Sequence, residues 1–177
     1  MTCRLLQNIK HGKGYDAGGV AGIYLLDVRD FISYRFKGDK LYDRCLVEKI
    51  KIAAEDYITL DTVGESNFTE SCENGVYRQQ LTTFVRSLGH ETTSDLLLAS
   101  SNRYVVIVRT SQSKTYTFGS DGGASVRFTQ QTGQMGEVSG YTVTIEKNSV
   151  YPLFEIDMEN TQHISRVFDD TFNDKFN

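Results

Sequence analysis

Three cysteines and three histidines are the side chains of this 177-residue chain best suited to metal binding or nucleophilic chemistry, and their spacing supports neither. A zinc site needs ligands that return at short, fixed intervals, such as CxxC or a second His one helical turn on. Cys3, Cys45 and Cys72 are widely separated, and none makes a CxxC or CxxH pair with another or with His11, His90 or His163. Odd in number and scattered, they read as free thiols. A Cys3 to Cys72 bridge is open to the chemistry, but no secretory signal is legible and a reducing compartment argues against it. "GHETTSD" holds a His-Glu pair without the second His, so His90 reads as the residue that opens a helix. "SDGG" and "FDD" gather carboxylates, but no second cluster completes a hard-metal site, and a solvated turn and helix surface are the plainer readings. "GYDAGGVAG" is rich in glycine but has neither GxGxxG nor a Gly-Lys-Ser/Thr ending, and it precedes a strand where a phosphate loop follows one. No serine sits in GxSxG. The expectation is a chain with no catalytic residues, no cofactor and no metal, since an enzyme needs titratable groups that converge on a pocket.

Composition narrows the class further. The length fits one domain with a sizeable core, and an apolar fraction of 39% with 11% aromatics is that of a chain that folds. A net charge of -4 argues against gripping nucleic acid, which needs concentrated Lys and Arg. No apolar run approaches the roughly 20 residues that span a bilayer.

The elements that would position any site are mostly strands. Residues 1–19 read as a polar, basic arm ending in glycines, and "VAGIYLLDV" as the first strand. "RDFISYRFKGDKLYD" mixes aromatics with charge at no sustained period, which predicts a long loop from Arg29 to Asp43 tipped by a short hairpin. "LVEKIKIAAEDYITLDTV" is ambiguous between helix and strands, and its alternation favours strands. Asn74-Gly75 between Phe68–Cys72 and Val76–Val85 is a hairpin turn. Thr92, Thr93 or Ser94 is positioned to cap a short leucine-rich helix that stops near Asn102, before the continuous apolar strand "RYVVIVRT". "KTYTFGS", "SVRFTQQT" and "GYTVTIEK" then predict an antiparallel meander. At the end of the sequence Ile164, Val167, Phe168, Phe172 and Phe176 recur every three or four residues, which predicts an amphipathic helix over 159–177 capped by Asn160 or Thr161. Closing the core is the first use for such a stripe, and docking into a neighbouring subunit the second.

The order from "NGVYRQQLTTFVRS" through "TSDLLLASSN", "RYVVIVRT" and "KTYTFGSDGGASVRFTQQTGQMGEVSGYTVTIE" resembles phage tail-tube proteins and the related tail-hub and head-tail ring subunits. The opening "C....NIKHGKGYDAGGVAGIYLLDV" resembles the N-termini of structural proteins from crAss-like and other phages of Bacteroidetes. The C-terminal helix departs from that pattern and leaves a repeating tube subunit and an adaptor ring both open. The resemblance implies an α+β, mainly β fold: antiparallel sheets in a tail-tube-like sandwich or barrel over 20–158, with one short helix after the fourth or fifth strand. It implies a non-enzymatic virion protein of the tail or neck, made in the host bacterial cytoplasm. Its partners would be copies of itself, in a hexamer first and a dodecamer second, and other tail or neck proteins. Double-stranded DNA would pass through the lumen without specific binding, and no membrane would be involved. In that setting Phe31, Tyr34, Phe36, Leu41 and Tyr42 would form the loop that touches the next ring. The rival from a different class is a monomeric β-rich ligand- or carbohydrate-binding module that presents Tyr24, Tyr34, Tyr42 and Tyr57.

Overall fold

A computed structural model describes residues 18–38, 45–53, 57–60, 66–132 and 138–157. Most of the expected arm, Leu41 and Tyr42 of the expected loop, and the expected C-terminal helix with Ile164, Val167, Phe168, Phe172 and Phe176 lie outside these residues.

The strand "RYVVIVRT", β7 (Arg103–Thr110), organises the fold. Tyr104, Val105, Val106, Ile107 and Val108 are all buried, so both of its faces are covered. Period two divides them. Tyr104, Val106 and Val108 enter one apolar cluster with Ile23, Leu25, Phe118, Val126, Val143 and Ile145. Val105 and Ile107 enter a second with Leu26, Val47, Ile50, Phe154 and Ile156. The neighbouring β1 (Val20–Asp27) is split in the same way, with Ile23 and Leu25 on one side and Leu26 on the other.

Around this spine run β2 (Phe31–Phe36), β3 (Leu46–Ile52), β4 (Tyr57–Leu60), β5 (Asn67–Glu73), β6 (Val76–Val85), β8 (Thr115–Phe118), β9 (Ala124–Gln131), β10 (Gly140–Ser149) and β11 (Phe154–Ile156). The sheet order is β2-β3-β11-β8-β7-β9-β10-β6-β5, with β1 paired to β7 and β4 to β1. All neighbours are antiparallel except β11 and β3, so the sheet is mixed. Among the described residues the fold class is therefore mainly β with one helix, in a single open sheet whose parallel β11–β3 pair corrects the expected all-antiparallel arrangement. Strands over "LVEKIKI" and "YITL" are found, as is the hairpin at Asn74-Gly75, where both residues take positive φ (53° and 79°) as its tight turn requires.

Two expectations are corrected. The long loop from Arg29 is a two-strand arrangement at its start: β1 turns at Val28–Asp30 directly into β2, which pairs with β3. Register shifts at Phe31/Ser33 and Arg35/Phe36 break its alternation, which is why no period shows in the sequence. The meander is also not a meander, since β8 and β9 do not pair with each other. They share one edge of β7, Phe118 lying opposite Val106 and Ala124 opposite Tyr104.

Between those partners β7 advances two residues while the other chain spends five, Gly119 to Gly123, on an outward excursion. Gly119 and Gly123 take φ of 88° and 79°, and the Gly123 N–H donates to the Gly119 carbonyl at 2.8 Å. A Cβ on Gly123 would lie 2.5 Å from that of Arg103. Glycine is thus required by both backbone conformation and close approach. Lys147 on β10 holds the excursion by donating to the Asp121 carbonyl at 2.6 Å, with its carboxylate 3.4 Å away. The bend sends β9 away from β7 to pair with β10, opening the second half of the sheet.

The helix α1 (His90–Ser101) follows β6, the sixth strand and not the expected fourth or fifth, because the stretch after β1 forms more strands than its sequence period shows; His90 opens it as expected. Its N-cap is Gly89, which corrects Thr92, Thr93 and Ser94. Those hydroxyls turn elsewhere: Thr92 to Ser87, Thr93 to the Gly89 carbonyl and the Tyr141 hydroxyl, and Ser94 to the His90 carbonyl. The helix stops at Asn102, whose N–H bonds back to the Ala99 carbonyl.

Candidate assembly surface

Two kinds of surface remain after the cores are filled. The first is backbone. Among the described residues β2 and β5 end the sheet and β4 ends the side branch, so each is paired there on one side. β5 reads "NFTESCE", with only Phe68 half-buried, and its polar side chains keep a long edge in water.

The second is a groove of about 620 Å³ between α1 and the β4–β1 pair. Its floor is Leu25, Leu96 and Tyr104, and its lips are Ile58 and Leu98, which are 55% and 65% exposed. Three consecutive leucines on a helix cannot all face one core, because successive residues turn by about 100°. Leu96 takes the buried position, leaving Leu97 and Leu98 outside. That triplet was the sequence signal for the groove, and helix propensity alone masked it.

Charge on the groove has one sign. Asp27, Asp30 and Asp95 line it, and no Lys or Arg does so among the described residues. Arg29 reaches Asp27 from outside, its Nη2 2.6 Å from Oδ2, and this bond holds the Asp27 carboxyl below its usual range. Burial pushes the Tyr104 phenol up, so it stays neutral at the floor.

The residues expected to form a stacking loop are placed differently from a loop tip. Phe31 and Tyr34 lie on β2 and pack onto the second cluster, with their rings edge to face at 4.8 Å. Tyr34 also meets Phe154 at 5.7 Å, and its hydroxyl lies 2.8 Å from Thr117 Oγ1. Burial pushes its phenol well above the usual range. Phe36, at the end of β2, is partly exposed and covers Phe154. Of the tyrosines weighed as a ligand platform, Tyr24 and Tyr57 pack edge to face at 5.7 Å beside the same cluster. Cys45 and Cys72 are exposed, free thiols. Among the described residues no group of three or more His, Cys, Asp or Glu is gathered for a metal, and no helix is long and apolar enough to cross a membrane.

No protein-family model, curated protein or solved structure matches this chain.

Proposed function

We propose that this protein is a non-enzymatic structural subunit that assembles into a ring around a DNA channel, in the tail or neck of a bacteriophage. The observation that carries the reading is the open sheet: a continuous set of strands ends in β5 on one side and β2 on the other. Unpaired strand edges recruit other strands, and folds that keep such edges long and regular need something to cover them. Pairing two different edges of successive copies is a heterologous contact, which closes into a ring when the rotation per subunit fits. The exposed, polar β5 suits an edge that must stay soluble until a neighbour arrives. The net charge of -4 suits a wall that lets DNA pass without adhering. The order of elements that resembles tail-tube, tail-hub and head-tail ring subunits supports the virion setting.

Of the tyrosines of the binding-module alternative, Tyr34 packs internally and Tyr24 against Tyr57, and Tyr42 lies outside the described residues.

The test is the solution mass of the purified chain over a concentration series, with negative-stain images of large species. Ring or tube particles with an open centre are expected. A monomer at every concentration, and still a monomer with its neighbouring tail proteins supplied, overturns the reading.

A further inference from the structure

The acidic groove beside α1 has a complementary segment within the same sequence. Residues 1–17 carry Arg4, Lys10 and Lys13 against one acid, Asp16, in a chain whose overall charge is negative. They also carry a short apolar set, Leu5, Leu6 and Ile9. The groove presents the opposite pattern, an apolar floor with Leu98 and Ile58 on its lips and Asp27, Asp30 and Asp95 around it. We propose that this groove receives the segment 1–17 of a neighbouring copy, its apolar residues on the leucines and its Lys and Arg against Asp30 and Asp95, Asp27 being already paired with Arg29. The inference deepens the ring reading by naming one contact between copies, and it rests on that reading for the presence of a neighbour.

The ring reading, which supplies an adjacent molecule, selects the neighbour over the same chain. The chain enters the described fold at Gly18, ahead of Val20, whereas the groove lies at the Asp27 end of β1. At about 3.3 Å per residue these ends are roughly 23 Å apart. An arm folding back onto its own groove would have to reverse beside β1, both of whose edges are taken, by β7 and by β4. Seventeen residues extend to at most roughly 60 Å, ample to cross to an adjacent molecule. Each copy would then give an arm at one pole and take one at the other, which is a directional, head-to-tail contact.

Cys3 lies beside Arg4 and Leu5, so it serves as the reporter. In a full-length chain with Cys45→Ser and Cys72→Ser, both positions being exposed, Leu98→Cys places one thiol on the groove lip. Mild oxidation is expected to give a reducible ladder of covalent dimers, trimers and larger species on a denaturing gel. Adding Cys3→Ser should abolish the ladder. Asp30→Lys with Asp95→Lys should also abolish it, and adding Lys10→Glu with Lys13→Glu should restore it. Thermal melting of each variant checks that the fold is intact. A crosslink confined to the monomer overturns the assignment in favour of the chain's own groove. Ring particles without any crosslink overturn the groove contact while leaving the ring reading standing. A monomer without crosslinks, persisting when the neighbouring tail proteins are supplied, overturns both.

Discussion

β7 and β5 are strands of nearly equal length that meet opposite conditions. Five consecutive residues of β7 are buried, and it is paired along both edges, by the sequence-distant β1 on one and by β8, which follows it directly in the chain, on the other. β5 has one partner, the hairpin-linked β6, and all but one of its side chains are exposed. In β7 the sequence is set by two cores at once, so nearly any β-branched residue serves and no polar one does. In β5 it is set by water, and in the proposed ring by the need to stay unpaired until a neighbour arrives. The contrast separates what holds the subunit together from what the subunit offers outward.

That contrast can be broken from the β7 side first. Ile107→Ala removes a fully buried side chain from the second cluster and is expected to destabilise by about 2–5 kcal/mol, read as a fall in the denaturation midpoint with unchanged slope. Gly123→Ala combines a positive φ with a Cβ pressed against Arg103, and a loss of roughly 1–3 kcal/mol is expected by the same assay. If it melts like the parent, the excursion is not the fixed joint described. Tyr34→Phe deletes the hydroxyl that meets Thr117 and should lower stability by about 1 kcal/mol.

On the β5 side stability should scarcely move. Thr69→Lys with Ser71→Lys, both exposed, is expected to stay within about 0.5 kcal/mol of the parent. Edge lysines oppose strand addition, so the same variant should remain monomeric where the parent forms rings, as light scattering would report. Particles of unchanged size would show that β5 is not a contact edge. The smallest effect belongs to the Asp27–Arg29 pair. Asp27's folded pKa is depressed, so the pair's contribution is present above the ordinary carboxylate range and is lost as pH falls through it. Comparing acid unfolding of Arg29→Ala with the parent should show curves that differ slightly at neutral pH and converge in acid.

How much of this was legible follows from the range of each interaction. Asn74-Gly75 wrote its own hairpin, because the turn needs two positive φ values that those residues supply locally. "RYVVIVRT" announced a strand covered on both faces for the same local reason. "FISYRF" hid a strand because two register shifts destroy its alternation. "SDGG" read as a hairpin turn because a turn and a bulge use the same residues, and only the opposing length of β7 distinguishes them. The pairing of β11 with β8, about forty residues before it, and with β3, about a hundred before it, is encoded by no local signal. The groove was not read: the leucine triplet was taken only as helix-forming, and the aspartates that ring the groove come from β1, the turn after it and α1.

The excursion at Gly119–Gly123 also has a mechanical side. A pull applied across the subunit, from a neighbour on β2 to a neighbour on β5, passes through hydrogen-bonded ladders nearly everywhere. Where the two halves of the sheet meet, the β8–β9 junction carries that load along the peptide chain itself, with Lys147 as a brace. Ladders fail by sliding or unzipping, whereas a covalent tether does neither. A wall built from such subunits would yield at the joints between copies before it tore within one.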